Sequence, residues 1–168
     1  LETVCWVLDI CNAKVNDSCG FHVHMDAAGF NLDTWKNLTL TYKHLEHLID
    51  AFMPRTRRNN TYCKTLSGVS DERIKSVRTI DGLREVFNND RYHKVNFEAY
   101  SRHRTVEFRQ HSGTTNFTKM ENWIRFLNGL ITFAKRSSLP SRMTLEELPF
   151  LDGKQKLFFK LRTKKLAV

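Results

Sequence analysis

Cysteine is scarce: four residues in a chain of 168, with no Cys-x-x-Cys pair among them. That argues against a four-thiolate zinc site, and four thiols in a chain this long fall short of a disulfide framework. Reduced thiols and a cytoplasmic setting are the expectation. Negative charge is also short, with 18 Asp plus Glu against 27 Lys plus Arg, for a formal net charge of +9. An acidic disordered protein is thereby excluded, and phosphate-bearing ligands become worth testing. No apolar run approaches the ~20 residues that span a bilayer, so no membrane partner is expected. There is no internal repeat, low-complexity tract or domain linker. Zinc-finger, RNA-binding and interleaved aromatic–basic signatures are missing too, so nucleic acid is not an expected partner despite the charge. Apolar residues make up 40% of the chain, enough to fold around a core.

The apolar spacing outlines the elements. Leu1, Val4, Leu8 and Cys11 fit a helical period across residues 1–13. Asn16 to Gly20 is turn chemistry, and residues 21–26 alternate as a strand. Asp33 is placed to cap a long helix with Trp35, Leu38, Tyr42, Leu45, Leu48, Ile49 and Phe52 along one stripe, ended by Pro54. Asp71 and Asp81 each suit the start of a short helix. Residues 94–98 and 105–111 alternate as two strands, and the gap between them allows a hairpin, although no glycine is present for a tight turn. Thr118 and Glu121 form a capping-box pattern ahead of a helix with Met120, Trp123, Leu127, Leu130, Ile131 and Ala134 on one face. Thr144 and Glu147 repeat that pattern. Residues 154–166 read as a basic helix with Leu157, Phe158 and Leu161 on its apolar side.

The strands carry the functional signal. Side chains alternate between the faces of a strand. Phe21, Val23 and Met25 share one face, and His22, His24 and Asp26 the other. Val95 and Phe97 oppose Lys94, Asn96 and Glu98. Val106 and Phe108 oppose Thr105, Glu107, Arg109 and His111. If the three share a sheet, their polar faces merge into one floor of imidazoles, carboxylates and a guanidinium. His22 and His24 are spaced for a common ion or for two neighbouring ligands. Glu107 is a hard oxygen donor suited to Mg²⁺ or Mn²⁺, and Arg109 offers a planar fork for phosphate or carboxylate. The plainer readings stand beside these: a lone His-x-His pair that binds nothing, and a Glu107–Arg109 surface ion pair worth ~0–1 kcal/mol.

Four segments then become recognisable. Cys19-Gly20-Phe21-His22-Val23-His24 resembles the Cys-Gly-x-His-Val-His motif of the amidoligase family, and residues 105–114, Thr-Val-Glu-Phe-Arg-Gln-His-Ser-Gly-Thr, resemble its second signature. Residues 54–63, with Arg57, Asn60, Tyr62 and Cys63, look like its basic Arg-Asn-Tyr-Cys segment, and Arg91 to Asn96 look like the stretch that precedes the Glu-Phe-Arg strand. The likeness runs over roughly residues 14–135. The family is similar to the glutamine synthetase superfamily of carboxylate–amine ligases. The resemblance implies an α+β fold: an antiparallel sheet with one polar catalytic face and helices packed on the other, here lacking its N-terminal strand. It implies ATP and Mg²⁺ or Mn²⁺ as cofactors, an acyl-phosphate intermediate, and a carboxylate and an amine, such as a peptide or amino acid, as substrates. His22, His24 and Glu107 resemble metal ligands, and His24, Arg109 and Asn96 resemble the nucleotide-contacting positions. Arg109 and Arg57 resemble catalytic positions, while Asn16 and Gly20 match the loop that leads into the first strand.

One departure is clear. The family's upstream Glu-x-Glu strand has no counterpart in residues 1–18, which hold only Glu2, Asp9 and Asp17. The chain is therefore expected to be a single domain, residues 1–168, forming the C-terminal part of an amidoligase-like catalytic domain. A segment upstream of Leu1, or another chain, is expected to supply the Glu-x-Glu donors. The alternatives are a metal-dependent hydrolase using the same ligands, or a non-catalytic protein that keeps the fold.

Overall fold

The structure, a computed structural model, describes residues 1–167. It is α+β, with one three-stranded antiparallel sheet and seven α-helices among the described residues. In chain order these are α1 (Glu2–Ile10), β1 (Val23–Asp26), α2 (Leu32–Ala51), α3 (Asp71–Ser76), α4 (Ile80–Val86), β2 (Val95–Asn96), α5 (Ala99–His103), β3 (Thr105–Phe108), α6 (Phe117–Ala134) and α7 (Gly153–Leu166). Short 3-10 turns lie at Arg55–Arg57 and Leu145–Glu147.

The long helices form where their apolar stripes predict, but they start earlier. Asn31, not Asp33, caps α2, its side chain accepting from the Thr34 amide at 2.8 Å. Asn116, not Thr118, caps α6, accepting from the Lys119 amide at 3.0 Å. In each case an Asn upstream of the expected cap satisfies the orphan amides of the first turn. The capping box at Thr144 and Glu147 forms as read. Trp35, Leu38, Tyr42, Leu45 and Ile49 of α2, with Phe52 just past its end, are buried against Trp123, Phe126, Leu127 and Leu130 of α6 and the apolar face of the sheet.

β3 is the central strand, in the order β1-β3-β2. Val23 and Val95 pair with Phe108 from either side on the core face. One residue along, His24 and Asn96 flank Glu107 on the other face. The period-2 reading therefore holds for β1 and β3, and the polar floor is one continuous rung. The link between β2 and β3 is not a tight hairpin. It is the helical turn α5, closed by Arg104 in the left-handed conformation at φ 57°.

Three sequence expectations give way to tertiary packing. Lys94, read onto the polar face, is wholly buried on the α2 side of the sheet, its ammonium 2.8 Å from Asp50 and 3.4 Å from Glu46. Its backbone precedes the two-residue strand, so alternation does not govern it, and two carboxylates on α2 provide the counter-charge. In α7, Leu157 and Leu161 point to solvent while Phe159 and Gln155 face the core. The short apolar pattern of that helix did not fix its rotation, and the aromatic contact of Phe159 with Phe52, at 4.4 Å between centroids, does.

His111 is the third. It does not join the floor but is 3% exposed, edge-on to Phe21 and tilted against Trp123. Burial pushes its pKa down from 6.5 to about 4; the Ser112 carbonyl works against this, and the positive charges of Arg162, Lys119 and Arg57 add to it. The folded ring resists a proton that the unfolded chain accepts, so stability is full above pH 6.5 and falls as pH drops toward 4. The expected loss is about 3 kcal/mol across that window. Urea unfolding at stepped pH measures it. In His111→Phe, which keeps the aromatic packing, this part of the slope is expected to vanish; an unchanged slope refutes the assignment.

Candidate active site

Glu107 is the centre around which the polar floor is built. It is 6% exposed and spends both carboxylate oxygens. Its Oε1 accepts from Arg109 Nη1 at 2.8 Å and meets His22 Nδ1 at 3.0 Å, and its Oε2 accepts from Asn96 Nδ2 at 2.6 Å. Burial raises the carboxyl pKa, but the hydrogen bonds from His22 and Asn96 and the charge of Arg109 outweigh it and hold the pKa at about 2. Glu107 is thus a fixed anion at neutral pH. His24, half-exposed, stands with Nε2 3.8 Å from Oε1 and Nδ1 2.9 Å from the Thr105 hydroxyl. The structure brings together five of the residues read from the sequence: His22, His24, Asn96, Glu107 and Arg109.

These five line a cleft of about 620 Å³ together with Glu98, which alternation put on the polar face, and with Arg91, Arg102 and His103, which sequence reasoning missed as site residues. Arg91 lies in a turn and Arg102 and His103 in α5, where no periodicity assigns a side chain to a face. Their clustering arises only when α5 folds over the end of β3. Glu98 adds no free negative charge, because both its oxygens are held by Arg84. The cleft therefore carries three guanidinium groups and three imidazoles around two carboxylates that are already paired. Such a surface attracts anions.

Arg57 lies apart from this lining. It is 5% exposed, and its guanidinium donates to the backbone carbonyls of Arg109 and Gln110. It holds the chain that leaves β3 from below. Next to it, Gly20 leaves room that the site needs. A Cβ there would stand 2.7 Å from His22 Nε2 and 3.1 Å from Arg57 Nη2. Asn16 forms its own turn, accepting from the Ser18 amide and hydroxyl. Cys63 is buried, and burial lifts its thiol to about 11, which Arg57 and Lys94 only partly oppose. It is an inert thiol rather than a nucleophile.

The chemistry of the donor set does not make a cation site by itself. His22 and Arg109 occupy the Oε1 of Glu107, Asn96 occupies the other oxygen, and His24 Nδ1 is taken by the Thr105 hydroxyl. Among the described residues no group of three His, Cys, Asp or Glu side chains is arranged to hold a metal ion.

A helical layer behind a small sheet, with Glu, Arg, Asn and His side chains turned into a cationic cleft, is the layout of a site for an anionic ligand. Over residues 1–131 the chain matches the family model described as "Putative amidoligase enzyme", and the protein belongs to that family. Neither the curated proteins nor the solved structures give a match. No helix among the described residues is long and apolar enough to cross a membrane.

Proposed function

We propose that the chain joins a carboxylate to an amine at the expense of ATP, as a ligase of glutamine synthetase-like fold. Family membership supports the ligase class. The observation that carries the phosphoryl chemistry is the cleft: Arg109 stands on its floor beside two imidazoles, with Arg91 and Arg102 also in the lining and every carboxylate already neutralised. In the first step a substrate carboxylate oxygen attacks the γ-phosphorus of ATP, an O–P bond forms, and ADP leaves. In the second step the amine nitrogen attacks the acyl carbon, phosphate leaves, and the nitrogen gives up its proton to solvent. Such transfers depend on positioning and charge neutralisation more than on covalent help from the protein.

In this reading Arg109 holds the transferring phosphoryl oxygens, His24 and Asn96 stand beside the nucleotide phosphates, and His22 and Glu107 orient Arg109. Arg57 fixes the backbone on which Arg109 is carried. The divalent ion, Mg²⁺ or Mn²⁺, enters with the nucleotide as part of the substrate. A resident ion held by His22, His24 and Glu107 would need further donors.

The test is ADP release by the chain with ATP, Mg²⁺ or Mn²⁺, and panels of amino acids and amines. ADP is expected only when a carboxylate and an amine are both present. Amide cleavage that proceeds without ATP would instead establish the hydrolase.

A further inference from the structure

Beside the cleft stands an aromatic shelf that the phosphoryl chemistry does not use. Tyr62 is 61% exposed although it belongs to a segment whose neighbour Cys63 is fully buried. Its ring stands edge-on to Tyr92, with centroids 5.6 Å apart. Tyr92 in turn lies under two guanidinium groups, Arg91 at 4.9 Å and Arg109 at 5.6 Å from its ring centre. Arg91 also donates to the Tyr92 hydroxyl at 3.0 Å, and Arg109 Nε reaches the Tyr62 carbonyl at 3.5 Å. Two of the arginines that line the cleft, Arg91 and Arg109, are therefore one connected group with the two tyrosines.

An exposed ring costs solvation and gains nothing for the core, whereas a stacked base recovers that surface. Guanidinium groups that already lie against an aromatic ring leave their other sides open to anions. Two successive steps of 5.6 Å lead from the Arg109 guanidinium to the Tyr92 ring and on to the Tyr62 ring. A ribose and its adjoining phosphates cover that reach. We propose that Tyr62, backed by Tyr92, is the platform on which the base of the nucleotide stacks, while its phosphates run back along Arg91 to Arg109. The ligand class is then a nucleoside triphosphate rather than a bare polyphosphate or an acidic peptide. This rests on the nucleotide reading given above and adds the residues that recognise the base.

Calorimetric titration of the intact chain with ATP and with inorganic tripolyphosphate, both with Mg²⁺, tests it. The wild-type chain is expected to bind ATP more tightly than tripolyphosphate. Tyr62→Ala is expected to weaken ATP on the order of tenfold and to leave tripolyphosphate unchanged, with Tyr62→Phe close to wild type. Equal weakening of both ligands, or undiminished ATP binding in Tyr62→Ala, overturns the platform. If wild type binds tripolyphosphate as tightly as ATP, the platform fails while the phosphate cleft stands. If it binds neither, the nucleotide reading fails with it.

Discussion

Arg109→Ala is expected to lower ADP-forming turnover by roughly 10²–10³-fold, the usual cost of removing one preorganised donor from a developing anion. The geometry gives the reason. Arg109 is tied to Glu107 at 2.8 Å and rests against Tyr92, so its fork is aimed before any ligand arrives. Arg109→Lys keeps the charge but loses the planar pair of donors, and is expected to recover only a minor part of the rate. The measurement is ADP release under saturating ATP, with a melting curve alongside to show that the fold persists. Turnover retained in Arg109→Ala removes the residue from the mechanism.

The largest stability effect is expected at Lys94. Replacing it by Met keeps the length of the stem and deletes the charge. Glu46, 7% exposed, and Asp50 would then face each other without their cation. Breaking a buried pair from one side costs about 3–5 kcal/mol. The low end is expected here, because Glu46 also accepts from the Leu66 amide at 2.6 Å and from the Thr65 and Ser67 hydroxyls. Urea unfolding should show the midpoint fall with an unchanged slope. Adding Glu46→Gln to Lys94→Met should return part of the loss, since it removes one stranded charge. If the single variant unfolds like wild type, the cluster carries no stability. The cluster also touches the site indirectly, for Gln110 donates to Asp50 and accepts from Tyr42 at 2.8 Å, and Arg57 holds the Gln110 carbonyl.

How much of this could be read from the residues follows from the range of the forces involved. Period-2 alternation along residues 21–26 and 105–109 is local, and it placed His22, His24, Glu107 and Arg109 on one face. Period-3.6 stripes are local too, and they found α2 and α6. Lys94 was misread because its position depends on Glu46 and Asp50, more than forty residues away in sequence. Whether His111 joined the floor or simply ended the strand was open in the alternation, and the answer lies with Phe21 and Trp123, which close over it from other elements. In α7, Leu157 and Leu161 satisfied the pattern, but the contact of Phe159 with Phe52 decided the rotation. Arg91, Arg102 and His103 carried no periodic signal, since a turn and a five-residue helix bring them to the cleft. Arg57 was singled out as a residue, yet its burial against two carbonyls was not legible. A basic run in a polar loop looks the same whether it is solvated or folded inward.

The saturated state of Glu107 changes what binding at this floor means. With both oxygens engaged by Arg109, His22 and Asn96, an arriving anion does not fill an idle charge. It trades places with a carboxylate for a share of the same donors, so affinity reflects the difference between two anions rather than the strength of one contact. A weak acid gains little from that exchange. A group with more oxygens and more charge than a carboxylate gains most, so the floor sorts its visitors by comparison with its own resident anion.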